Sequence, residues 1–120
     1  LIVVVLGVLV TGAGPHGGDE EVLTRLPFDP RTMSWLHADA VLFFLGVTVG
    51  LLLALKVTDA PAVAQRRVLV VLVVSLAQGF VGYLQYFTGL PWVTVAVHVV
   101  GACAVWVCVL RVPFALRTRD

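Results

Sequence analysis

Residues 35–57 read WLHADAVLFFLGVTVGLLLALKV. Ionisable side chains stand only near its ends, His37 and Asp39 at the start and Lys56 at the finish. From Ala40 to Leu55 the run is apolar except for Thr48. Rising ~1.5 Å per residue, a helix of this length spans the roughly 30 Å hydrocarbon layer of a bilayer. The stretch is a membrane span, and its reading sets the class of the chain.

The rest of the chain agrees with it. Of 120 residues, 60% are hydrophobic and 12% charged, with a mean hydropathy of +1.04. These apolar residues fall in runs too long for a soluble core, so the solvent is lipid. A formal charge of +1 without any basic cluster interleaved with aromatics argues against a nucleic-acid partner. Apolar runs and breakers predict an all-α transmembrane helical bundle, with helices at about 1–12, 35–57, 68–87 and 92–111. That is three full spans plus the end of a fourth, in one domain covering 1–120. Ser34 is the expected cap of the second helix. Residues 13–33 form a polar loop, with Pro27 and Pro30 blocking a long helix. Residues 88–91, Thr88-Gly89-Leu90-Pro91, form a tight turn. Leu1 is not a methionine, and the run is apolar from that residue on. The first segment therefore reads as a span whose beginning has been cut away, making the chain a fragment of something longer. The rival is a signal-peptide core cut at Ala13-Gly14, but no basic segment precedes it and Pro15 would follow the cut.

Charge gives the topology. Lys56, Arg66, Arg67, Arg111, Arg117 and Arg119 fall at one end of the bundle, whereas the opposite end carries only Arg25 and Arg31 among four acids. The positive-inside rule puts the first end, with the C-terminus, in the cytoplasm and loop 13–33 outside. Trp35, Tyr83, Tyr86, Phe87 and Trp92 collect at the outer boundary as an aromatic belt. The expected location is the cell inner or plasma membrane, crossed several times.

Two histidines carry the chemistry. A titratable side chain at membrane depth is costly and marks a functional site by default. His37 lies three residues past Ser34, roughly 5 Å into its helix, and His98 six residues past Trp92, roughly 9 Å, at ~1.5 Å per residue. Within the breadth of such boundaries the two are level, which fits the axial ligands of one heme iron. An iron with both axial positions filled carries electrons and does not bind substrate. The plainer alternative is that each histidine is hydrogen-bonded to a neighbouring helix.

Other residues offer weaker signals. Gly101 and Ala102 follow His98 on its own face. Ser75, Gln78, Gly82 and Gln85 form a polar stripe on the third helix, able to bond a heme edge, a propionate, a quinone head group or simply another helix. Gly46 and Gly50 make a GxxxG packing motif. Asp39 is about 200° round the helix from His37 and reads as a dipole-stabilised interface residue. His16, in the glycine-rich outer loop, could help present backbone N–H groups to an anion or sit in a solvated turn. Cys103 and Cys108, on different faces of one helix, read as packing residues with no redox role.

In order, these residues resemble a known family. Val10-Thr11-Gly12-Ala13-Gly14-Pro15-His16-Gly17-Gly18-Asp19 is followed by Trp35-Leu36-His37-Ala38-Asp39. Ala77-Gln78-Gly79 and Gly82-Tyr83-Leu84-Gln85-Tyr86 come next, and then His98 before Gly101-Ala102. The series resembles the C-terminal half of bacterial heme A synthase, of the type found in actinobacteria. That resemblance implies one four-helix half of an eight-helix membrane oxidoreductase, which converts the C8 methyl of heme O to a formyl group for terminal oxidases. It implies heme b as cofactor, with His37 and His98 as iron ligands and His16, Gln78, Gln85 and Gly101 among its surroundings. The catalytic glutamate and the substrate heme would belong to a missing N-terminal half, so no catalytic residue lies here. Expected partners are the lipid bilayer, heme and that missing half, with heme O synthase or a second copy of the chain left open. Two alternatives stand beside it, a stand-alone b-type membrane cytochrome and a non-catalytic membrane bundle. The first would be favoured by a second histidine pair at the inner end, and there is none.

Overall fold

The structure is a computed structural model that describes residues 1–15 and 25–116. It contains four α-helices, α1 (Ile2–Ala13), α2 (Pro30–Val57), α3 (Ala62–Phe87) and α4 (Trp92–Arg111), then a 3-10 turn at Pro113–Ala115. No strand occurs among the described residues. Pro30–Val57, Ala62–Phe87 and Trp92–Ala115 are each long and apolar enough to cross a membrane, and α1 is a shorter apolar helix. The expectation of an all-α chain with three helices of membrane-spanning length and apolarity therefore holds.

Two boundaries differ from the sequence reading, both through proline. α2 starts at Pro30, and its cap is Asp29, not Ser34. The Asp29 carboxylate accepts from the Thr32 backbone N–H and from its hydroxyl, both at 2.7 Å. Proline suits the first helical position because it has no N–H there to leave unsatisfied. Ser34 instead donates to the Pro30 carbonyl at 2.8 Å, one turn back. α3 starts at Ala62 after Pro61, so Arg66 and Arg67 lie inside the helix. Arginine is a good helix former and its long stem lets the charged head reach out of an apolar segment.

The Thr32 hydroxyl, then its N–H, hold the Asp29 carboxyl below its ordinary value of 3.8. Titrating lower in the folded chain than in the unfolded one, Asp29 stabilises the helix start above that value. The contribution is lost as the pH falls through the lowered one. Protection factors against amide exchange at Thr32 and Met33, taken relative to the intrinsic rate at each pH, should fall on acidification, and Asp29→Ala should lower them already at neutral pH. Equal protection in wild type and variant at neutral pH would count against the cap.

The two short connectors share their hydrogen bonds, although in the second Leu90, with φ of 60°, is left-handed as well. Thr58-Asp59-Ala60-Pro61 and Thr88-Gly89-Leu90-Pro91 each begin with a threonine hydroxyl bonded to the carbonyl four residues back, at 2.8 and 2.7 Å. In each, the third residue returns a bond to the preceding helix, Ala60 N–H to Leu55 at 3.0 Å and Leu90 N–H to Gln85 at 2.7 Å. Asp59 and Gly89 take the left-handed conformation that such a helix ending requires, with φ of 49° and 80°. Proline then sets the next helix going.

The chain divides into two compact units, Leu1–Phe44 and Leu45–Asp120. In the first, Leu26 lies against Gly12, where a Cβ would come within 2.7 Å of its Cδ1. Its N–H also bonds the Gly12 carbonyl at 3.1 Å. In the second, α3 and α4 pack on one another. The buried core is Leu55, Ala64 and Val68, with Leu52, Ala60, Val112 and Ala115 around it. Arg67 donates to the Arg111 carbonyl and so caps the end of α4 with a cation.

Along α3 the buried positions are Ala64, Val68, Val71 and Ser75, at helical spacing. Everything else is largely open. Phe43, Phe80 and Val100 remain 76%, 71% and 70% exposed in mid-span. Each such side chain left in water would forgo roughly 1.5–3 kcal/mol of burial. Lipid removes that cost, as expected of a multi-pass membrane protein. Gly46 and Gly50 stand in open space, since a Cβ at either would meet nothing within 4 Å.

Candidate functional site

Each histidine lies about two turns into its own helix. His37 is seven residues beyond Pro30, roughly 10 Å along α2, and His98 is six beyond Trp92, roughly 9 Å along α4.

In the first unit the half-buried His37 ring lies against Gly7 of α1. A Cβ at Gly7 would stand 3.2 Å from the ring Cε1 and 3.6 Å from Nδ1. The ring also donates an N–H to the Val3 carbonyl, and Val3 lies one turn from Gly7 on the same face of α1. A backbone carbonyl on an imidazole nitrogen fixes the tautomer and the orientation of the ring.

The second unit repeats the device. His98 lies against Gly82 of α3, where a Cβ would stand 3.3 Å from Cε1 and 3.8 Å from Nδ1. The exchange is reciprocal, because Gln78 of α3 enters the space that a side chain on Gly101 of α4 would take. A Cβ there would fall 1.5 Å from Gln78 Nε2. Gln78 and Gly82 are four residues apart and His98 and Gly101 three, so each pair presents one face. Ser75 is 4% exposed, and Gln78 and Gln85 are half-buried. Ser75 Oγ, Gln78 Oε1 and Gln85 Oε1 are buried with no hydrogen-bond partner among the described residues. Buried acceptors of this kind are expensive to leave unmade.

Of the residues expected at the site, the structure brings Gln78 to Gly101 and places Gln85 on the same α3 face. His16 lies outside the described residues. Asp39 is exposed, and nine residues beyond Pro30 it lies past the reach of the helix dipole, which therefore does not stabilise it. Cys103 is exposed and Cys108 half-buried, both as free thiols. Among the described residues no three His, Cys, Asp or Glu side chains gather to hold a metal by protein ligands alone. Sequence reasoning missed Gly7 and the role of Gly82 as a seat for His98. A lone glycine in the run Ile2–Val10 was the available signal, since an isolated glycine there marks a close approach.

Protein-family models, curated proteins and solved structures were all compared with this chain, and none matches.

Proposed function

We propose that this chain is the electron-carrying half of a membrane oxidoreductase of the heme A synthase kind. In this reading His37 and His98 are the two axial ligands of heme b. The observation that carries it is the repeated seat. Each histidine is set about two turns into an apolar helix, with its ring laid against a glycine of the preceding helix, Gly7 or Gly82. Two imidazoles are the donor set of a low-spin b-type heme. The bond from His37 to the Val3 carbonyl orients that ring, while the orphaned acceptors of Ser75, Gln78 and Gln85 lie on the α3 face that holds Gly82. The residues present therefore fit the group. When bound, heme supplies one-electron transfer, with no position left for substrate. Conversion of the C8 methyl of heme O would belong to the other half, as the resemblance of Trp35-Leu36-His37-Ala38-Asp39 and the α3 motifs implies.

The same reading includes orientation. The basic ends, Lys56, Arg66, Arg67 and Arg111, face the cytoplasm, and the segment joining α1 to α2 faces outward, in the cell's plasma membrane. The test is optical. Protein purified in mild detergent from heme-replete cells should carry stoichiometric heme with a reduced low-spin b-type spectrum. Heme-free protein, or a high-spin spectrum only, would overturn the assignment.

A further inference from the structure

At the corner where α2 passes into α3, a cavity of about 220 Å³ is lined by Leu52, Lys56, Ala62, Gln65, Arg66 and Leu69. No acidic side chain lines it, Asp59 of the connector included. The side chains of Lys56 and Arg66 make no ion pair or hydrogen bond among the described residues. Neighbouring Arg67 has its partner in the Arg111 carbonyl. The corner itself is held firmly, by the Ala60-to-Leu55 backbone bond at 3.0 Å and by Gln65 Nε2 on the Ala60 carbonyl at 2.9 Å.

The end of α2 favours Lys56 in its last turn, but nothing on the α3 side answers Arg66. α3 begins with no side-chain cap and no acid in its first turn, so its free N–H groups and dipole add positive potential. Arg66 follows in the second turn with no acid before it in the helix. An anion in the cavity would meet both cations and the open start of α3. The other wall is apolar, with Leu52 and Leu69 running toward mid-span. Paired cations beside an apolar wall, at the end of two membrane-length helices, match an anion that carries a hydrocarbon chain.

We propose that this corner is a binding site for an anionic phospholipid. Lys56 and Arg66 hold the headgroup phosphate, and the acyl chain follows Leu52 and Leu69. The inference needs only the membrane fold and stands apart from the heme reading.

Spin-labelled lipids test it. The wild-type chain is reconstituted in phosphatidylcholine vesicles doped with spin-labelled phosphatidylglycerol or phosphatidylcholine, and the motionally restricted fraction is measured. Preference for phosphatidylglycerol is expected, and it should fall about fivefold for each cation removed in Lys56→Gln and Arg66→Gln. The exchange Lys56→Arg with Arg66→Lys should retain it, as should Arg25→Gln, distant in sequence from the corner. Helical circular dichroism of each variant checks folding; if the double Gln variant fails to fold, the single changes carry the test. Preference unchanged in the folded Gln variants, or lost equally in Arg25→Gln, overturns the site. Inorganic phosphate separates a lipid from a free anion. The preference should persist in excess phosphate, because the acyl chain adds binding that inorganic phosphate lacks; complete displacement by phosphate, beyond that by chloride of equal ionic strength, overturns the lipid assignment.

Discussion

Gly101→Ala should destabilise the α3/α4 hairpin, and adding Gln78→Ala should recover most of the loss. The added methyl would lie 1.5 Å from Gln78 Nε2 and 2.5 Å from its Cδ, so the amide must leave its place. Overpacking of this kind costs about 1–3 kcal/mol. Against it stands a helix-propensity gain of roughly 0.5–1 kcal/mol for replacing a mid-helix glycine. The clash wins, though by a limited margin, because the obstacle is the end of a flexible side chain and not backbone. Gly46→Ala and Gly50→Ala supply the contrast. There a Cβ meets nothing within 4 Å, so the propensity gain acts alone and stability should hold or rise slightly. Unfolding in mixed micelles at increasing denaturing detergent measures these four variants and Gln78→Ala alone. If Gly101→Ala matches wild type, or if its effect and that of Gln78→Ala simply add, the interlock between Gln78 and Gly101 is not what holds that crossing.

Membrane spans are legible in a sequence because lipid imposes one requirement, a long apolar run with its backbone bonded internally. That is why residues 35–57 decided the class and why α4 matched its expected limits, Trp92 to Arg111. Helix starts are a finer matter, settled by single residues. Pro30 and Pro61 read as breakers, yet each opens a helix, since proline obstructs only what precedes it. Asp29 then outcompetes Ser34 for the cap because it stands directly before that proline. The polar stripe on α3 was readable from spacing, and Ser75 is indeed buried. Its pairing with particular residues of α4 was not readable, because period fixes a face but not the register between two helices. The glycine seats of both histidines were hidden for the same reason. A glycine in a valine-rich helix becomes informative only when the neighbour that fills its space is known.

His37→Ala and His98→Ala should each abolish the low-spin b-type spectrum, the largest effect expected of any substitution here. Under the proposed function each imidazole fills one axial position, so losing either leaves the heme bound through a single protein ligand or not at all. A histidine that serves only as helix-to-helix glue would behave differently. Its removal would cost about 1–2 kcal/mol of stability and leave any cofactor spectrum unchanged. Added imidazole separates loss of a ligand from loss of the fold. In His98→Ala the space beside Gly82 is vacated without disturbing the α3 backbone, so free imidazole should enter and restore the low-spin bands. Gly82→Leu in the same background fills that space and should block the rescue. In His37→Ala the space beside Gly7 and the Val3 carbonyl are likewise left open, and the carbonyl is available to orient the added ring. Helical circular dichroism and heme content are read on the same samples. A low-spin spectrum that survives both substitutions would remove these histidines as ligands. Loss in one variant only would assign a single axial position and require another residue at the second.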